Sequence, residues 1–234
     1  MSALVDVAVN VSRARERIAA ACRRVGRDPG GVRIVAVSKT QPLEAVRAAI
    51  AAGVDAVGEN RVQEAAAKRP LVAGSTPWHL VGPLQRNKAR QALDLFDLVE
   101  TVDRVELADR LETLLAGGPR LLPVFLEVNI ARELQKSGVP PDGVRALADH
   151  LAASCPHLRL QGLMTVPPYD PDPERSRPHF AALRALAVEL ARHAASPVLG
   201  LSMGMSEDFE VAVEEGATWV RLGRVLFGER RTAT

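Results

Sequence analysis

The chain has 234 residues, 47% hydrophobic and 25% charged, the proportions of an ordinary globular domain long enough to bury one sizeable core. Thirty basic residues against 28 acidic ones leave a net charge of +2, scattered rather than massed, and aromatics make up only 3%; a nucleic-acid surface or a base-stacking platform is therefore not expected. Two distant cysteines (Cys22 and Cys155), no secretion-signal pattern at the N-terminus and no run near the roughly 18 apolar residues of a membrane span point to a reduced, cytoplasmic protein.

The first element is a helix. Apolar residues recur at Leu4, Val7, Ala8, Val11, Ala14, Ile18, Ala21, Cys22 and Val25, until Gly26 and Asp28-Pro29-Gly30-Gly31 stop the pattern. A β-branched run at 32–37 then reads as a buried strand. Further strands are expected to begin near Val54, Trp78, Leu98, Leu122, Leu158, Val198 and Thr218, separated by helical stretches at 43–52, 61–68, 84–93, 104–115, 142–152, 178–193 and 207–215. Strand–helix alternation with short connections implies parallel strands and right-handed crossovers. Eight such units in a chain of this length favour a closed (β/α)8 barrel over an open doubly wound sheet. The expectation is one domain spanning 1–234, with an extra N-terminal helix. The proline-rich patch at 167–173 reads as an extended loop after the sixth strand.

In a barrel the reactive groups sit where strands end, because those loops vary without disturbing the packed interior. Strand ends here carry Ser38-Lys39-Thr40, Gly58-Glu59-Asn60, His79 running on to Gln85, Asn87 and Lys88, Glu127-Val128-Asn129, Met164-Thr165, Ser202-Met203-Gly204-Met205-Ser206 and Arg221-Leu222-Gly223-Arg224. Lys39 has two readings. It is a surface lysine capping a strand, or an amine in the barrel mouth whose partial desolvation exposes the lone pair that imine formation needs. The loops at 202–206 and 221–224 are plain turns, or a phosphate nest of backbone N–H groups in the region after strands seven and eight. His79 is a hydrogen-bonded core histidine or a catalyst, and Met164, Met203 and Met205 read as core filler. With no His, Asp and Glu at ligand spacing, no metal is expected.

Together these segments resemble the pyridoxal phosphate homeostasis protein family. The resemblance rests on Val35-Ala36-Val37-Ser38-Lys39-Thr40, Gly58-Glu59-Asn60, His79-Leu80-Val81-Gly82, Val128-Asn129, Lys136-Ser137-Gly138, Gly162-Leu163-Met164, the 202–206 loop with Asp208, and Arg221-Leu222-Gly223 with Phe227-Gly228. It runs collinearly over almost the whole chain. It implies a barrel similar to the N-terminal barrel of bacterial alanine racemases, and pyridoxal 5′-phosphate (PLP) held as an internal aldimine on Lys39. Arg221 would approach the pyridine nitrogen. Ser202 and backbone N–H groups near Met203, Gly223 and Arg224 would hold the phosphate, and Asn60 and His79 would line the same mouth. Arg224 departs from the small hydroxyl residue of many relatives; it either adds a charge-assisted phosphate contact or points to solvent.

The same resemblance bears on activity. PLP accelerates amino-acid chemistry when its protonated ring withdraws electrons, and an always-charged, donor-only arginine at the ring nitrogen disfavours that protonation. Racemisation also needs acid/base groups on both faces of the substrate. The racemase supplies a tyrosine from a second domain, whereas the one tyrosine here is Tyr169. A monomeric PLP carrier with no catalytic residues and little turnover is therefore expected, passing cofactor to apo-PLP enzymes. The alternatives are a weak amino-acid racemase or related PLP enzyme, and a phosphosugar enzyme using Lys39 with Glu59 or Glu127.

Overall fold

The computed structural model describes residues 6–193 and 200–228. Eight strands, β1 (Arg33–Val37), β2 (Ala56–Glu59), β3 (Trp78–Leu80), β4 (Leu98–Val102), β5 (Leu122–Glu127), β6 (Leu158–Met164), β7 (Gly200–Ser202) and β8 (Trp219–Leu222), pair in parallel in chain order, and β8 closes onto β1. Helices α2 (Leu43–Ala51), α3 (Val62–Lys68), α4 (Ala89–Leu95), α5 (Val105–Leu115), α6 (Val144–Ser154), α7 (Arg177–His193) and α8 (Phe209–Glu214) alternate with the strands, and the one-turn α9 (Arg224–Phe227) follows β8. This is the TIM barrel that the alternation predicted.

The extra helix α1 (Val7–Arg24) forms as its apolar spacing requires, with Val7, Val11, Ala14, Ile18, Ala21 and Cys22 buried. The Asp6 carboxylate caps it by accepting the N–H groups of Ala8 and Val9. Leu4 lies outside the described residues. Polar clamps fasten α1 to α8: Arg17 pairs with Glu210 at 2.6 Å, Arg24 with Glu214 at 2.5 Å, and Arg27 donates to the Val213 and Ala217 carbonyls.

Local boundaries differ from expectation at two helices. Helix α4 starts at Ala89 rather than near 84, because Arg104 takes the Leu84 carbonyl (3.1 Å), Gln85 is extended, and a 3-10 turn at Arg86–Lys88 intervenes. The expected strand start at Val198 lies outside the described residues; β7 is seen from Gly200. Helix α9 had no sequence counterpart, being a single turn.

Strand alternation sorts the side chains into two layers. Ile34, Val57, Leu80, Val99, Leu126, Leu163, Val220 and Leu222 face outward into the large apolar layer beneath the helices. The barrel interior holds two small clusters, Val35, Val37 and Ala56 beside Leu98, Phe125 and Met164, with Trp219 touching both. Above this apolar floor the interior turns polar: His79, Glu100, Ser202 and Arg221 are all buried. Such a layer contributes nothing to hydrophobic stability and needs full pairing to be tolerated.

Candidate functional site

A cavity of about 280 Å³ opens at the C-terminal ends of the strands. Lys39 and Val37 enter it from β1, Asn60 from β2, Val81 from β3, Val166 and Tyr169 from the loop after β6, Met205 and Ser206 from the loop after β7, and Arg221, Gly223 and Arg224 from β8 and its turn. A broader groove of about 720 Å³ adjoins it at Asn60, lined by Arg61, Gln85 and Lys88, but it lacks Lys39 and the turns after β7 and β8.

The turn bearing Lys39 is held from below by α3. Lys68 Nζ donates to the Ser38 carbonyl at 2.7 Å, and Glu64 Oε2 accepts the Thr40 N–H at 2.8 Å. Ser38 Oγ and Lys68 Nζ both donate to Glu59 Oε1, each at 2.7 Å. Thr40 adopts a left-handed φ of 62°, a strained choice for a β-branched residue that these bonds maintain. Burial raises the pKa of Glu59, and Lys68 and Ser38 oppose the shift. Half-buried Lys39 thus rides on a turn fixed at both flanking residues. Gly82 lets β3 approach the same rim, since a Cβ there would sit 2.4 Å from the Asn60 carbonyl oxygen.

Beneath the cavity a charged chain crosses the barrel. Arg221 Nη2 donates to the Thr165 carbonyl and Nη1 to Ser202 Oγ, both at 2.7 Å. Ser202 in turn donates to Glu100 Oε2 at 2.6 Å, while Glu100 Oε1 meets His79 Nδ1 at 2.7 Å. The His79 ring stands edge-on to Trp219 with centroids 4.8 Å apart. Burial works against charge on Glu100, but His79, Arg221 and Ser202 outweigh it and hold the carboxyl below its ordinary range. Burial likewise pulls Arg221 down, opposed by Glu100, Asp208 and Glu127. Glu127, on β5, is different. Its Oε2 is buried without a hydrogen-bond partner, and burial, with Asp103 adding to it, pushes its pKa up to about 7.

Five of the eight residues singled out in the sequence, Lys39, Asn60, Arg221, Gly223 and Arg224, line the cavity. The other three do not line it. His79 lies one layer down, since the inward residue at the rim of β3 is Val81 and alternation sinks His79 two positions below it. Ser202 is fully buried, its hydroxyl engaged by Glu100 and Arg221. Met203 turns outward into the apolar layer and its N–H donates to the Trp219 carbonyl at 3.1 Å. In that loop Ser206 faces the cavity instead. Gly204 enables the turn, with φ at 90° and a would-be Cβ only 2.5 Å from Ala212 Cβ. Asp208 fixes it by accepting from Met205 N–H (2.7 Å) and Ser176 Oγ (2.9 Å). Arg224 borders the cavity and pairs with Glu207 at 2.6 Å.

The family model for the N-terminal domain of alanine racemase matches residues 9–231. A pyridoxal phosphate homeostasis protein from Pseudomonas aeruginosa is 44% identical over 96% of both chains, and one from Aquifex aeolicus 41% identical over 94% of this chain and 97% of its own. The chain belongs to the pyridoxal phosphate homeostasis protein family. Among solved structures, PipY of Synechococcus elongatus with PLP bound is 39% identical, with a TM-score of 0.79 over 92% of this chain and 99% of its own. Alanine racemase from Corynebacterium glutamicum shares the fold, with a TM-score of 0.73 over 97% of this chain and 62% of its own, at 19% identity.

The sequence expectations did not single out Glu100, which anchors the charged chain beneath the cavity, and did not separate Ser206, which lines it, from Ser202. Glu100 had a usable signal, an acid in the middle of the apolar run Leu98-Val99-Glu100-Thr101-Val102 on an interior-facing position. Ser206 was visible in its motif, but nothing local distinguished it from Ser202. Only the turn at Gly204 does so.

Proposed function

We propose that this chain binds PLP covalently through Lys39 and acts as an intracellular PLP carrier in cofactor homeostasis, with little or no turnover of amino acids. The observation that carries the reading is the convergence of Lys39, the turns at Ser206 and Gly223, and the buried Arg221 on one small cavity. About 280 Å³ is just under the range of drug-sized sites and suits one compact phosphorylated ring. Family membership and the PLP-bound PipY relative support the choice of ligand.

In this reading Lys39 would hold the cofactor covalently, its amine condensing with the aldehyde and releasing water. Bound PLP supplies an electron-withdrawing ring when its nitrogen is protonated. Arg221, already donating to Ser202 and Thr165, would offer that nitrogen only a charged donor and so disfavour its protonation. Ser206, the turn at Gly223 and the Arg224 guanidinium furnish phosphate donors, with Glu207 holding Arg224 at the rim. Asn60 also lines the cavity. Glu59 and Glu127, the carboxylates a phosphosugar enzyme would use, are not among the cavity-lining residues, and Glu59 is committed to Lys68 and Ser38.

The absorption spectrum of the purified protein tests this. A yellow protein whose imine band disappears in Lys39→Ala, with negligible amino-acid turnover, is the expected result. A colourless protein that stays colourless in excess PLP contradicts it. One observation favours a second reading, weak racemisation: Tyr169, the one tyrosine of the chain, borders the same cavity as Lys39. Racemisation of alanine or serine that is abolished in Tyr169→Phe would establish that reading in place of the carrier.

A further inference from the structure

On the side of the barrel away from the cavity, where α6 runs out into β6, three potential ligands of different chemistry converge. Asp109 lies on α5, His150 near the end of α6, and Cys155 directly after it; one ligand atom from each lies within 4.8 Å of the other two. No other such group occurs among the described residues. His150 Nε2 already contacts Asp109 Oδ1 at 2.6 Å. A second pair stands beside them, with Glu112 one turn along α5 from Asp109 and its Oε1 2.6 Å from His157 Nδ1.

We propose that Asp109, His150 and Cys155 form a zinc-type divalent transition-metal site, with a fourth position left for water. A carboxylate oxygen, an imidazole nitrogen and a thiolate are the mixed donor set that selects zinc and its neighbours over magnesium or calcium. Metal–ligand bonds of about 2.0–2.3 Å at tetrahedral angles need ligand atoms roughly 3.3–3.7 Å apart. The His150–Asp109 contact must therefore open by somewhat less than 1 Å for an ion to replace the shared hydrogen. The Asp109 side chain is 53% exposed and able to swing, and that of His150 is 26% exposed, so an ion has a solvent route to the buried sulfur.

Cys155 is a free thiol, buried directly after its helix. Binding then exchanges an S–H bond for an S–metal bond and releases one proton to solvent. The Glu112–His157 pair lies where an outer partner would steady the ligands. Sequence spacing hid the site because its ligands come from two helices and a loop, 41 residues apart at the His150–Asp109 contact.

Titration of the full-length PLP-loaded protein with Co²⁺ alone, read by absorption, tests the proposal. It predicts one Co²⁺ per chain and a thiolate-to-cobalt charge-transfer band in the near ultraviolet, abolished by stoichiometric Zn²⁺. Cys155→Ser should remove the band, and the surface variants His150→Gln and Asp109→Asn should each weaken binding at least about 10-fold. Cys22→Ala should change neither, and the imine band at Lys39 should not move. A chain that binds no stoichiometric Co²⁺, a band that survives Cys155→Ser, or affinity indifferent to both surface variants overturns the site. The two surface variants leave the interior untouched, so they decide the matter even if Cys155→Ser fails to fold.

Discussion

Glu100 shows what one buried charge does in this barrel. With no exposed surface, it is stabilised only by His79, Ser202 and, through Ser202, Arg221. Such a network stays neutral in cost only while complete, because a buried charge stripped of its counter-charge loses several kcal/mol. Glu100→Gln keeps the shape but takes from the Arg221 guanidinium the first of the three carboxylates that balance it, leaving Asp208 and Glu127. Unfolding by denaturant should show a loss of about 3 kcal/mol, together with weaker PLP binding as Arg221 loses its fixed direction; unchanged stability would mean that Arg221 finds another partner. Depth is also what a sequence conceals at this scale. Lys39 and Asn60 each sit just beyond a strand end and reach the cavity, as does Arg221 one residue short of one. Ser202 and His79 lie one layer lower, a depth that strand ends in sequence do not reveal.

Among the elements, α3 is the one whose part was least visible. Its short helical run says nothing about the turn across the barrel rim that it holds through Lys68 and Glu64. Glu64→Ala should cost no more than about 1 kcal/mol, as its side chain is partly exposed. Even so, releasing the Thr40 N–H frees a strained turn, and PLP capture followed by stopped-flow absorbance should slow several-fold. Glu64→Gln, which still accepts the N–H, should restore the rate. Equal rates in all three proteins would show that α3 is scaffold only. The larger elements were legible for a simple reason: alternating apolar strands and amphipathic helices repeat eight times, and each repeat carries its own periodicity. The late start of α4 was not, since it depends on Arg104 capturing a carbonyl from another segment.

For the molecule as a whole, the polar interior makes stability depend on pH. Glu127 has a folded value near 7 against an ordinary 4.5, so the fold binds its proton more tightly than the unfolded chain does. Its stabilising contribution is complete below the unfolded value and disappears as pH rises through the folded one, by at most about 3 kcal/mol. Glu127→Gln cannot ionise, and thermal unfolding measured from about pH 5 to 8 should show wild-type stability falling relative to the variant. Parallel curves would place the Glu127 carboxyl back in the ordinary range. No helix among the described residues is long and apolar enough to cross a membrane.

The covalent anchor is the claim on which the functional account stands. Borohydride reduction of the PLP-loaded protein, followed by peptide mass measurement, reads it directly. The account predicts one pyridoxyl phosphate adduct per chain, on the peptide containing Lys39. An adduct on another lysine, or an unmodified chain after reduction in excess PLP, would contradict it.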